Sequence, residues 1–208
     1  MDGNLPADVQ NLHDQLDAAE REAQALVAGL AEEQGTWRSQ AGSWSIAECL
    51  DHLATANRVY LLAMQEPANR ARARRQYRCR PVKPGSIGRL FVRMLEPPPT
   101  WWSRLKAPRS IRPRAAPSFA EALAGFVASH ADVRAFLSAH ADLDLTGIRF
   151  PNPFVRGIRF SIATGLHVIA AHERRHLWQA WRIRRQLERA NGPVGHGSPP
   201  RAGGVRPL

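Results

Sequence analysis

The chain has 208 residues, 29 Lys and Arg against 18 Asp and Glu, a formal charge of +11 and a sequence pI near 11.3. That length holds one domain with a proper core and excludes a second full one. Two cysteines, Cys49 and Cys79, exclude a disulfide framework; with no apolar leader in MDGNLPADVQ and no run of 18 apolar residues, the expectation is a cytoplasmic protein without a membrane span.

Leu5, Val9, Leu12, Leu16, Ala19, Ala23, Leu26 and Leu30 recur every three or four residues, which predicts a long first helix with one buried stripe, closed near Gly35. Ser45 and Glu48 form an S-x-x-E capping box that starts a second helix, with Ile46, Cys49, Leu50, Leu53, Tyr60, Leu61 and Met64 as its apolar face and Pro67 near its end.

The next stretch, to about Pro117, is rich in Arg and Pro and has Glu96 as its only acid, so it reads as a long connection rather than a core element. Within it Ile87, Leu90, Phe91, Met94 and Leu95 fit one short amphipathic helix, ended by Pro97 to Pro99, and Trp101 and Trp102 are placed to pin the loop onto the body. The basic excess attracts polyanions in general, but this segment carries charge without a nucleic-acid recognition motif, and neither nucleic acid nor membrane is the expected partner.

Ser118 and Glu121 repeat the capping box and open a third helix carrying Phe119, Leu123, Phe126, Val133 and Leu137, which stops near His140. A turn-rich passage leads into a fourth helix from about Ser161 to Ala190, stopped by Asn191, Gly192 and Pro193. With no strand pattern between them, the four long helices predict an all-α four-helix bundle over residues 1–192, followed by a disordered tail over 193–208. The short first link makes helices one and two antiparallel. The long second link is able to cross the bundle and leave helices two and three parallel.

The stripe of the fourth helix reads Ile162, Leu166, Ile169, His172, His176, Ala180, Ile183, so two histidines stand where a bundle places leucine. An unpaired buried polar group costs about 1–3 kcal/mol, and a metal would satisfy both rings at once. At i and i+4 they lie one turn apart on one face, able to reach one ion at about 2.0–2.1 Å. A third ligand should come from a facing helix, and His52 is the candidate.

His130 reads first as a core histidine, with a place in or behind the site as the alternative. Cys49 reads as a small buried residue rather than a thiolate ligand. Asn57 and Glu48 are close to His52 in helical spacing, and Glu48 already serves the capping box. His13, His140, His167 and His196 are assigned no place in the site.

HERRHLWQAW also spells the H-E-x-x-H of zinc peptidases, in which Glu173 would activate a metal-bound water. The metzincin pattern needs a glycine at position 179 and a histidine at position 182, where this chain has Gln179 and Arg182; Glu188 is the one carboxylate further on. The peptidase reading therefore lacks its third ligand.

W-S-x-x-E-x-x-x-H-L, present from Trp44 to Leu53, together with H-x-x-x-H and the following Gln in HERRHLWQA, resembles the DinB-like (YfiT-type) superfamily of metal-binding four-helix bundles. MLEPPP and RLKAPR resemble the crossover of members of the group, and the resemblance runs from Leu5 to Ala190. It implies an up-down-down-up bundle and a divalent metal held by one histidine of the second helix and two of the fourth: His52, His172 and His176. Characterised members include bacillithiol transferases and mycothiol-dependent maleylpyruvate isomerase, which use the metal to bind a small thiol as its thiolate, and several members form homodimers. Members often carry Arg or another polar residue soon after the last histidine, where this chain has Leu177 and Trp178.

The expected activity is thiol S-transfer to a small-molecule electrophile, with Arg89, Arg93 or Arg104 holding carboxylates of the thiol cofactor. Two alternatives stand beside it: a metal-dependent hydrolase with Glu173 or Glu48 as base, and a non-enzymatic metal-binding or interaction bundle whose Arg-rich arm, 70–114, touches nucleic acid or another anion. Zinc is the first expectation for the ion, and three imidazoles also suit nickel, iron or copper.

Overall fold

The first buried stripe forms as its spacing predicts: helix α1 (Ala7–Val27) buries Val9, Leu12, Leu16, Ala19, Ala23 and Leu26. The structure is a computed structural model that describes residues 5–98 and 108–191. α1 stops earlier than the sequence suggests because Gly29 adopts φ +74°, a left-handed turn that breaks the helix. The stretch up to Gly35 instead contains a second, short helix, α2 (Glu32–Thr36).

The expected capping box opens α3 (Ile46–Ala73): Ser45 Oγ accepts from Glu48 N at 3.1 Å and Glu48 Oε2 accepts from Ser45 N at 2.8 Å. α3 does not end near Pro67 but carries the proline inside it. An interior proline costs about 3 kcal/mol; the extension is held by burial of Ala68 and Ala71 and by Arg72, which donates to Ala139 O at 2.6 Å and to both Asp142 carboxylate oxygens.

The crossover contains its short amphipathic helix, α4 (Ser86–Leu95), with a different face turned inward. Phe91, Val92 and Leu95 pack on the core, whereas Ile87 and Leu90 are 70% and 58% exposed. The buried Gly88 sets this rotation, since it brings the α4 backbone against the Thr164 side chain, where a Cβ would lie 2.5 Å from Oγ1. A 3-10 turn, Arg109–Ile111, precedes α5 (Phe119–Ala139). Trp101, Trp102, Arg104, Gly192, Pro193 and the tail lie outside the described residues.

An element the sequence reading lacks follows α5: strands β1 (Arg149–Pro151) and β2 (Arg159–Ser161) pair antiparallel with Phe150 opposite Phe160. Strands of three residues are too short to show a period. Ser161 ends β2 and caps α6 (Ile162–Ala190), its Oγ accepting from Thr164 N at 3.1 Å.

Side-chain pairings fix the helix directions. Asn57 meets Ser129 and Arg72 meets Ala139, so α3 and α5 run parallel. Asn57 meets Glu173 and Met64 packs near Gly165, so α3 and α6 run antiparallel. Gln15 meets Arg174 and Leu26 meets Arg184, so α1 and α6 are parallel. The course is up, down, down, up.

The core divides into two apolar clusters. Met64, Leu137, Phe150 and Phe160 belong to one, and Leu26, Ile46, Phe126 and Leu177 to the other. The functional groups lie at the waist between them. Among the described residues no helix is long and apolar enough to cross a membrane.

Candidate metal centre

His52 enters the waist from α3 with its tautomer set. Its Nδ1 is 2.5 Å from Ile111 O, the carbonyl of the turn that ends the crossover. An N–H donated to that carbonyl leaves Nε2 with its lone pair directed inward, the arrangement that orients a metal-ligating histidine.

His172 and His176 enter one turn apart from α6, as their spacing predicts. His52 Nε2 and His172 Nε2 are 3.2 Å apart, and the ring centroids of the three histidines form a triangle with sides of 4.9, 4.5 and 4.6 Å. One ligand atom from each lies within 4.8 Å of the others. Two nitrogens bound to one tetrahedral ion at about 2.0–2.1 Å stand about 3.3 Å apart, close to the spacing that His52 and His172 already hold.

The donor chemistry fits a metal as well. Burial, with the charge of His52 and then of Arg175, pushes His172 down to about 3. Burial also lowers His52, and it lowers His176 well below its ordinary value, with His172, His52 and Arg175 adding to the effect. All three are therefore neutral imidazoles at pH 7, the form that binds metal. His176 Nδ1 is buried without a hydrogen-bond partner, a cost that a cation at this place would relieve.

Trp44, just before the cap of α3, covers the group from one side. Its ring stacks on His176 at 5.6 Å and tilts over His52 at 4.8 Å. The nearby acids are engaged elsewhere. Glu48 serves the cap and takes both Arg38 Nη2 at 2.8 Å and Nε at 2.9 Å, and Asp51 takes Arg114 Nε and Arg114 N, each at 2.8 Å. Cys49 is fully buried, and burial pushes its thiol far up, so it remains a neutral thiol as the sequence suggests.

Glu173 does not join the three histidines. It is 0% exposed, accepts from Asn57 Nδ2 at 2.9 Å and has its other oxygen 2.9 Å from His130 Nε2. His130, also 0% exposed, therefore lies behind the site with Glu173, not among the ligands. His167 meets Val82 O, His140 meets Phe136 O and His13 meets Ser138, each away from the triad.

Of the arginines assigned to a cofactor, Arg89 bonds Pro84 O and Ser86 Oγ at the start of α4, Arg93 is exposed in its last turn, and Arg104 lies outside the described residues. The residue that sequence reasoning missed is Arg175. It is partly buried, it donates to Met94 O at 3.2 Å, and its charge depresses both His172 and His176. Its position three residues after His172 was the available signal, because i and i+3 share a helix face.

A model of the DinB superfamily matches residues 15–180, which include all three histidines and every long helix at least in part. No curated protein and no solved structure matches the chain.

Proposed function

The chain belongs to the DinB superfamily, and on that premise we propose that it is a metal-dependent enzyme that activates a small thiol for transfer to an electrophile. His52, His172 and His176 would hold the divalent ion, with zinc as first choice. The observation that carries the reading is the meeting of three neutral imidazoles from two helices within 4.8 Å. Three protein ligands are the number found in catalytic sites, where structural sites close with four. The ion, when bound, would lower the pKa of a thiol at its open position and supply it as the thiolate.

The protein's own groups do the remainder. His52 is oriented by the Ile111 carbonyl, and Trp44 shields the ligands on one side. Arg175 places a positive charge beside His172 and His176, suited to a carboxylate of the thiol. In this proposal Arg175 has the role expected from the sequence of Arg89, Arg93 or Arg104.

Glu173 supports this reading over hydrolysis, since a general base must reach the proton it removes and this carboxylate is buried between Asn57 and His130. The basic arm supports a small-molecule partner over nucleic acid. Arg72, Arg78, Arg80 and Arg114 are each paired with a carboxylate, those of Asp142, Asp8, Asp144 and Asp51.

The test is metal analysis of the purified protein followed by thiol binding and conjugation across a panel of low-molecular-weight thiols and electrophiles. Stoichiometric metal with neither binding nor conjugation would overturn the S-transfer reading; hydrolysis that needs metal and no thiol would replace it.

A further inference from the structure

Behind the three histidines lies a second polar group, fed by all four long helices. α1 contributes Glu20, α3 Asn57, α5 Ser129 and His130, and α6 Glu173. Asn57, Ser129, His130 and Glu173 are each 0% exposed. Asn57 Nδ2 donates to Glu173 Oε1 at 2.9 Å and contacts Ser129 Oγ at 3.3 Å, while Ser129 Oγ donates to Phe126 O at 2.8 Å. Glu173 Oε2 is 2.9 Å from His130 Nε2, and His130 Nδ1 is 3.8 Å from Glu20 Oε2, which Arg134 holds at 2.5 Å.

Stability alone does not explain this cluster. Asn57 Oδ1, both His130 ring nitrogens and Glu173 Oε2 are buried without a well-aligned hydrogen bond, and a partly satisfied polar network is less stable than an apolar filling of the same shape. What it supplies is direction. Apolar contacts tolerate small rotations of a helix, whereas hydrogen bonds weaken steeply once misaligned.

The ligands need that direction. They come from two helices, and a rotation of α6 by about 20° would swing an imidazole about 6 Å from the helix axis through about 2 Å. Metal–ligand distances tolerate about 0.2 Å. Glu173 follows His172 directly on α6, and Asn57 lies on the same helix as His52. The Asn57 to Glu173 bond and the approach of His52 to His172 are thus two ties between the same pair of helices, roughly 7.5 Å apart along α3.

We propose that Glu173 is a positioning residue for the metal centre: from behind the site its hydrogen bond with Asn57 ties α6 to α3, with its other oxygen packed against His130 of α5, and so sets the rotation at which His172 and His176 meet His52. The inference rests on the three-histidine reading. It gives the glutamate of H-E-x-x-H a task other than that of a base.

The experiment uses Co(II) as probe in the full chain, with affinity from chelator competition, the visible ligand-field bands as a report on geometry, and melting as a control. Glu173→Met keeps the length of the side chain but removes both oxygens, including the one that accepts from Asn57; it should weaken Co(II) binding about tenfold, within the 10–100-fold range of partners that orient ligands, and should shift the bands while melting stays near that of the parent. Asn57→Leu should do the same. In the double variant the losses should fail to add, because both changes cut one tie.

Parent affinity and bands in Glu173→Met would overturn the proposal, as would additive losses in the double variant. If Asn57→Leu does not fold, Glu173→Met decides alone. A parent protein that binds no Co(II) would overturn the metal reading itself, a result distinct from parent and variant binding alike.

Discussion

His52 on α3 and His172 on α6 bring their Nε2 atoms to 3.2 Å across the helix interface. His52 Nδ1 already faces the Ile111 carbonyl, so its Nε2 presents a lone pair toward the second ring. Such a pair is suited to share a cation, and either ring alone makes a poor site. His52→Ala and His176→Ala should each therefore lose the metal outright, more than the 10–100-fold effect of outer partners. Elemental analysis beside the parent protein checks this, with circular dichroism to confirm folding. Retention of metal by His52→Ala would remove α3 from the site.

The metal-free protein should lose stability as pH falls from about 6.5. The folded-state pKa of His172 is pushed down to about 3 by burial, and burial also lowers those of His52, His167 and His176. Below 6.5 the unfolded chain therefore binds more protons than the folded one, so acid favours unfolding, by up to about 1.4 kcal/mol per pH unit for each group. Asp142 and Asp144, held low by Arg72 and Arg80, act in a lower window, their contribution fading only below about pH 4. Urea unfolding of chelator-treated protein between about pH 7.5 and pH 4.5 separates the two. A midpoint that does not move across that interval would contradict the histidine assignment.

What the sequence made legible follows from periodicity. Histidines at leucine positions on a helix stripe declare a polar requirement inside a bundle, and i, i+4 spacing makes it a shared one, so His172 and His176 could be read directly. His52 followed from the need for a facing ligand. Ile111 and Arg175 were less legible because their roles depend on how the crossover returns to the site, which no local pattern encodes. The partners of Glu173 come from α3 and α5, far away in sequence, and local spacing favoured a catalytic reading that ignores them. The end of α3 was misplaced because proline is a local signal, overruled here by the burial of Ala68 and Ala71.

Gly88 should be intolerant of the smallest side chain. A Cβ there would meet Thr164 Oγ1 at 2.5 Å and Cγ2 at 2.6 Å, and overpacking of this kind costs about 1–3 kcal/mol. Alanine gains at most about 1 kcal/mol in helix propensity, so Gly88→Ala should be destabilising on balance. Hydrogen exchange should quicken over α4, since α4 must lift from α6. Gly125→Ala, inside α5, is the control: its Cβ would make only ordinary contacts, 3.7 Å to Arg58 Nη2 and 3.9 Å to Ala54 Cβ, and the change should be neutral or stabilising by up to about 1 kcal/mol. Equal behaviour of the two variants would argue against close docking of α4.

Arg175 should discriminate among ligands by charge. Its guanidinium is anchored to Met94 O and partly buried, and its field reaches both His172 and His176. A carboxylate placed there would form a charge-assisted pair, worth about 1.5–3 kcal/mol as a hydrogen bond to a charged group. Arg175→Gln should therefore weaken binding of a carboxylate-bearing thiol by roughly tenfold or more while changing that of its amide analogue little. Arg175→Lys should restore part of the difference through charge alone, without the planar fork. Calorimetric titration of the metal-loaded protein with the paired thiols measures both, and metal content must be equal across the variants. If the two thiols lose affinity equally, Arg175 shapes the site without reading the charge of its ligand.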